Sequence, residues 1–165
     1  MNDQTHDLPA DLPADPPAAL ADIGLHNYAP YLMNRIMGRY NAAIRAEMAG
    51  LGLSTAKMRA LAVLSVIDAL LVGELAIYAV VEQSTLSRAL DQLEAEALVI
   101  RQPDAADSRA VRVLITPAGR IAFATLWPHM ATSYARMFRN IPEAERRAFV
   151  GTLQKMLANI RKHEI

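Results

Sequence analysis

Apolar side chains recur at steps of three and four residues over most of the chain, which is the period of a helix with one buried face. The pattern predicts a first helix over residues 28–48, which Gly50 and Gly52 end. A second helix is expected from Ser54, whose hydroxyl can cap it, to Ile67. Both therefore contribute one apolar face to a core.

The spacing of apolar residues changes in the middle of the chain. Two shorter helices are predicted over residues 74–78 and 84–97. Residues 99–101 and 111–115 are short, β-branched runs on either side of a turn-rich loop at 103–108, and they predict a two-stranded ribbon.

Helical periodicity then returns for the rest of the chain. Thr116 offers a hydroxyl cap and Pro117 suits the first helical position, so a long helix is expected over residues 117–140. Ile141-Pro142-Glu143 marks a break before a last helix. The predicted fold class is mainly α, with six helices and a two-stranded β wing.

Residues 1–22 differ from the remainder because they contain four of the nine prolines and few large apolar groups. Such a segment cannot offset the cost of ordering it, and we expect a flexible arm. Residues 53–116 are then a winged helix-turn-helix lobe, and residues 23–52 and 117–165 form a helical region. The terminal helices carry more apolar surface than one small domain can cover, which predicts that this region dimerises.

Composition excludes several classes of function. The 165 residues contain no cysteine, so thiolate metal sites, disulfides and catalytic thiols are excluded. The four histidines are scattered, and no nucleophile motif or phosphate-binding glycine loop is present, so we expect no enzyme, metal or cofactor. The apolar run over residues 61–81 contains Asp68, Gly73 and Glu74, which favours two core helices joined end to end over a membrane span and predicts a cytoplasmic protein.

Charge argues mildly against a nucleic-acid partner. The net charge is zero, and residues 71–116 contain four basic and seven acidic side chains. Because affinity for DNA comes largely from neutralising phosphates, only the placement of these charges can permit DNA binding.

That placement is favourable on the predicted helix 84–97. Its apolar stripe leaves a polar face near its start, where short side chains can approach phosphates and base edges and free N–H groups favour an anion. Arg88 can present two parallel donors to guanine, while the acidic residues lie further along the helix. The predicted DNA contacts on this face are Gln83, Ser84, Thr85, Ser87 and Arg88.

The loop of the ribbon supplies a second candidate contact. Arg109 can enter a narrow minor groove, and Asp107 can orient its guanidinium through a charge-assisted pair.

Five motifs stand in the middle of the chain: ELA at 74–76, STLSR at 84–88, LDQLEAEALVIR at 90–101, DSRAV at 107–111 and LITPAG at 114–119. Together they resemble the MarR family of multiple-antibiotic-resistance-type regulators, and the helical flanks extend the resemblance over residues 28–163. This resemblance implies that the polar helix face contacts the major groove, that Asp107 and Arg109 form the wing tip, and that the terminal helices interlock as a homodimer. Val80 and Ala97 depart from the family pattern, which has glycine there.

The predicted function is sequence-specific binding of double-stranded DNA at a palindromic operator, with repression as the expected outcome. The resemblance also implies a small aromatic effector in a crevice beside the dimer helices. The alternative is a winged helix used only for protein contacts, which the acidic balance favours. Candidate crevice residues are Tyr28, Tyr31, Arg35, Trp127, His129 and Met130.

Overall fold

The structure is a computed structural model that describes residues 19–50, 52–107 and 109–160. Within these ranges the chain forms seven α-helices and a three-stranded antiparallel sheet. The mainly α fold class and the winged helix-turn-helix are confirmed. The elements are α1 (Leu20–Ile23), a 3-10 turn (Leu25–Asn27), α2 (Ala29–Ala49), α3 (Thr55–Val66), β1 (Leu70–Leu71), α4 (Val72–Ala79), α5 (Gln83–Ala95), β2 (Val99–Pro103), β3 (Val111–Ile115), α6 (Pro117–Met137) and α7 (Glu143–Ile160).

Two elements differ from the sequence prediction. Helix α1 begins within the segment 1–22 for which the sequence predicts a flexible arm, while residues 1–18 of that arm lie outside the described part of the chain. Strand β1 separates α3 from α4, so these two helices are not joined end to end. A two-residue strand has no period of its own, and pairing with β3 alone defines it.

The sheet has the order β1-β3-β2, with Leu70 opposite Val113 and Arg101 also opposite Val113 on the other side. Arg112 holds β1 in place because its Nη1 donates to the carbonyl oxygen of Ala69 over 2.6 Å. The ribbon is therefore anchored along one edge to the segment that precedes α4.

Residues 19–39 form a compact unit by themselves, and residues 40–160 form a second. The core of the second unit lies between α3, α4, α5 and the sheet, where Leu64, Leu75 and Leu90 are fully buried. A smaller cluster joins the C-terminal half of α2 to α6 through Ile44, Met48, Met58 and Leu126.

Two polar features connect the elements of this core. Lys57 is 4% exposed, and its ammonium lies 2.6 and 2.7 Å from the two carboxylate oxygens of Glu96, which ties α3 to the end of α5. Gly119 in the first turn of α6 approaches the carbonyl of Leu98 so closely that a Cβ there would lie 2.1 Å from its oxygen. The wing and α6 are thus packed backbone to backbone.

Candidate nucleic-acid interface

The turn between α4 and α5 has a left-handed residue at its centre. Val80 has φ 51° and ψ 51°, a conformation that a β-branched side chain resists. Its N–H still closes α4 by donating to Ile77, and Val81 donates to Ala76. The glycine expected here from the family pattern is therefore replaced without loss of the turn geometry.

Arg59 of α3 braces this turn from the core side. Its Nη1 donates to the carbonyl oxygen of Val80 at 2.9 Å, and its Nη2 donates to Asn41 of α2 at 3.3 Å. The helical pattern of the sequence does not indicate a role for Arg59, because its contact lies 21 residues away along the chain.

Helix α5 has one buried and one exposed face, as its apolar period predicts. Leu86, Ala89, Leu90 and Leu93 are buried against the core. The structure brings the predicted contact residues of this helix together on its exposed face, towards its N-terminus: Gln83, Ser84, Thr85, Ser87 and Arg88.

The N-terminus of α5 differs from the expectation of free N–H groups awaiting an anion. Glu82 is the N-cap, and its Oε2 accepts from the Thr85 N–H and from the Thr85 hydroxyl, each at 3.3 Å, and from the Ser84 hydroxyl. Hydrogen bonds from Ser84, and then from Thr85, lower the pKa of the Glu82 carboxyl, so it is anionic at neutral pH. The chain therefore places its own anion where a phosphate was expected, because the N-cap side chain accepts the N–H three residues later.

The acidic residues of the lobe are largely compensated by basic ones. Arg101 lies 2.7 Å from Asp91 and 3.4 Å from Glu94, and it also donates to the carbonyl of Ser87. Glu96 is paired with Lys57. Within the described residues, the guanidinium groups of Arg88 and Arg109 have no ion pair or hydrogen bond. The excess of acidic over basic residues in the lobe therefore does not describe the charges that a partner would meet at these two positions.

The wing, β2 and β3 with their connecting loop, is organised by Asp104. One oxygen of its buried carboxylate accepts the N–H groups of Ala106 and Asp107 at 2.9 and 3.0 Å, and the other pairs with Arg112. These contacts lower the pKa of Asp104, with the Ala106 bond contributing most. The loop is therefore held by a carboxylate that the sequence analysis counted only as unfavourable charge.

At the tip, Asp107 and Arg109 are adjacent but are not joined by the predicted side-chain pair. Asp107 Oδ1 accepts the backbone N–H of Arg109 at 3.0 Å. An aspartate readily accepts the backbone N–H two residues later, and this local bond shapes the turn. The Arg109 guanidinium is left exposed.

The predicted crevice residues fall into separate surroundings. Tyr31 and Arg35 line an open cavity of about 320 Å³ on the first unit, and Arg35 donates to the Tyr31 hydroxyl at 2.8 Å. His129 lies 3.5 Å from Glu47, and Met130 packs against the smaller core cluster. Trp127 is more than half exposed, and Tyr28 is also exposed.

None of the described helices is long and apolar enough to cross a membrane. In the same part of the chain, no group of three or more acidic or histidine side chains is placed to hold a metal ion.

Comparison with known proteins agrees with this geometry. The model of the MarR family matches residues 51–110. A MarR-family transcriptional regulator from Silicibacter pomeroyi is 64% identical, with a TM-score of 0.86, and the match covers 90% of this chain and 100% of that one. A second MarR-family regulator from Silicibacter pomeroyi DSS is 28% identical, with a TM-score of 0.79 and coverage of 91% and 99%.

A third similar structure is described as showing the mechanism for regulation of DNA binding of Bordetella bronchiseptica BpsR by 6-hydroxynicotinic acid. It is 26% identical, has a TM-score of 0.67, and the match covers 78% of this chain and 97% of that one. Among curated proteins the comparison found no significant match.

Proposed function

Because the chain belongs to the MarR family of DNA-binding transcriptional regulators, we propose that it is a homodimeric repressor that binds a palindromic operator through α5 and the wing. Occupation of promoter DNA by a dimer blocks transcription, and such a target lies in the cytoplasm. DNA contacts are assigned to Gln83, Ser84, Thr85, Ser87 and Arg88 on α5, and to Asp107 and Arg109 at the wing tip.

The observation that carries the proposal is the exposed polar face at the start of α5. Arg88 is exposed there with its guanidinium available, while Arg101 pairs with the nearby Asp91 and Glu94. An arginine in the major groove forms two parallel hydrogen bonds with guanine O6 and N7. Arg109 supplies a second cation from the wing, where a narrow minor groove attracts it.

Helix α7 supports the dimer. None of its 18 residues is buried in the single chain, and even the large apolar side chains of Leu157 and Ile160 are 63% and 76% exposed. A helix with this much exposed apolar surface is stable when a second surface covers it. A two-fold axis between copies would place two α5 helices about 34–36 Å apart or a multiple of that spacing, which matches half-sites on one face of DNA.

A small aromatic effector is the proposed signal. The BpsR structure concerns regulation of DNA binding by such a compound, 6-hydroxynicotinic acid. In this chain Arg35 and Arg39 line an apolar cavity with Tyr31 and His26, a combination that suits the ring and carboxylate of an aromatic acid.

The function is tested by selecting bound sequences from random duplex DNA and titrating the selected site at salt concentrations from about 50 to 200 mM. We expect a palindromic site and an affinity that falls steeply with salt. Absent or salt-insensitive binding would contradict the proposal and favour a winged helix used for protein contacts.

The effector is tested separately with a panel of aromatic carboxylates that includes 6-hydroxynicotinic acid. A binding compound should raise the melting temperature and release the selected DNA, and Arg35→Gln should weaken both effects. No response to any member would remove the effector while leaving DNA binding intact.

A further inference from the structure

The carboxylate of Glu82 changes the hydrogen-bonding character of the α5 N-terminus. Its Oε2 accepts three hydrogen bonds, from the Ser84 hydroxyl, the Thr85 hydroxyl and the Thr85 N–H. A hydroxyl has a single hydrogen to donate, so both hydroxyl hydrogens are committed to this one oxygen.

The side-chain oxygens that remain at this edge are acceptors. The Ser84 and Thr85 oxygens keep their lone pairs, and within the described residues Glu82 Oε1 accepts no hydrogen bond. Glu82, Ser84 and Thr85 are all exposed. A group that contacts these oxygens must therefore bring its own donor, and a phosphate brings none, whereas the neighbouring Gln83 amide can still donate.

We propose that Glu82 is a specificity-determining residue whose carboxylate accepts a hydrogen bond from the exocyclic amino group of a cytosine in the major groove. This inference rests on the proposed DNA-binding function and assigns a base to one part of its surface. Arg88, one and a half turns further along the same helix, retains the guanine contact.

The chemistry of base edges favours cytosine over the other bases. Guanine O6 and thymine O4 are acceptors, which a carboxylate repels. Adenine has an amino group at N6, but its N7 lone pair lies beside it and would face the remaining acceptor oxygens. Cytosine N4 has the C5–H on its outer side, where adenine N6 has the N7 lone pair, so cytosine presents its donor to this edge with less repulsion.

The first experiment compares the sequences selected by the wild type, Glu82→Gln and Glu145→Gln. A glutamine can donate as well as accept, so the variant should lose its preference for cytosine at one position per half-site, by about 5- to 150-fold. Its affinity for unrelated DNA should rise, since a negative charge is removed. Glu145 is an exposed carboxylate in α7, and its variant controls for the loss of one charge.

The second experiment keeps the protein unchanged and removes the amino group from the DNA. Pyrimidin-2-one at the selected cytosine should weaken wild-type binding by at least about fivefold and leave the affinity of Glu82→Gln nearly unchanged. As the comparison, each adenine is replaced by unsubstituted purine, which lacks the N6 amino group.

The inference is overturned if Glu82→Gln selects the same bases with unchanged discrimination. It is also overturned if removal of N6 from an adenine, rather than N4 from a cytosine, affects the wild type alone. Wild-type protein that binds no DNA would instead contradict the proposed function, so the two failures are distinguishable.

Discussion

Arg59 and Val80 lie 21 residues apart in the sequence and are joined by a 2.9 Å hydrogen bond from the guanidinium to the backbone carbonyl. The bond fixes the left-handed residue between α4 and α5 against α3. The direction in which α5 leaves this turn is therefore determined by a side chain outside the helix-turn-helix.

Replacement of Arg59 by alanine should lower the free energy of unfolding by about 2 kcal/mol, because the turn carbonyl and Asn41 lose charge-assisted hydrogen bonds. Affinity for all DNA sequences should fall together, since α5 as a whole is displaced. Urea titration and DNA titration measure these effects. Arg45→Ala, at an exposed position of α2, should change stability by less than about 0.5 kcal/mol, and an equal effect at both sites would contradict the bracing role.

Glycine at Val80 should stabilise the protein by about 1 kcal/mol, because it removes the left-handed strain of a β-branched residue. Ala97, at φ 56°, offers a second test with a smaller gain. Ala95 is its matched control, since it is helical and its replacement by glycine should cost up to about 1 kcal/mol. Thermal unfolding should thus show a raised melting temperature for the glycine variants at Val80 and Ala97 and a lowered one for the glycine variant at Ala95.

Arg88→Ala should reduce discrimination between the selected site and single-base variants by about 1–3 kcal/mol, because a bidentate guanine contact is lost. Arg88→Lys, which keeps the charge, should retain affinity for unrelated DNA but not the discrimination. Fluorescence anisotropy with matched and mismatched duplexes measures both quantities. Unchanged discrimination in Arg88→Ala would place the guanine contact elsewhere.

Arg109→Ala should weaken binding to all duplexes by a similar factor and reduce the salt slope by about 1, as expected for a phosphate or minor-groove contact. Its control is Arg136→Ala, in the last turn of α6 and outside the lobe. Wild-type affinity of Arg109→Ala would remove the wing tip from the interface.

Acid should destabilise the wing through Asp104. The pKa of Asp104 in the folded protein lies below its ordinary value of 3.8. The ionised carboxylate therefore stabilises the fold at neutral pH, and this contribution is lost as the pH falls below 3.8 and through the lower pKa of the folded state. Asp104→Asn should be less stable at pH 7 and should lose less further stability on acidification. The urea midpoints of the wild type and of Asp104→Asn, measured from about pH 7 to 3, should therefore approach each other as the pH falls. A constant difference between the two midpoints across this range would contradict the role of Asp104.

Leu157→Asp should produce a folded monomer, because a charge at this exposed position of α7 opposes burial in a dimer interface. Lys155→Asp, on the same helix, makes a larger change of charge at an exposed polar position and should remain dimeric. Analytical ultracentrifugation distinguishes them. A monomeric wild type, or a dimeric Leu157→Asp that binds the operator normally, would exclude α7 from the interface.

The sequence alone determined the helical class, the wing and the exposed face of α5. These follow from local periods of 3.6 and 2, and from caps such as Ser54 and Thr116, whose side chains accept from Lys57 and Gly119 as predicted for N-caps. The exposed side of α5 needed no tertiary information, since the stripe of Leu86, Leu90 and Leu93 defines the opposite, buried side. The residues on the exposed side are Gln83, Ser84, Thr85, Ser87 and Arg88.

Only the tertiary structure decided which charges are available. Arg101 pairs with Asp91 of α5, Lys57 with Glu96 just beyond the end of α5, and Arg112 with Asp104. Arg59 donates to a carbonyl oxygen of the turn between α4 and α5. Each contact joins residues 8 to 39 positions apart, so no local period indicates it. Strand β1 exists for the same reason, because a segment as short as Leu70–Leu71 becomes a strand only when β3 pairs with it.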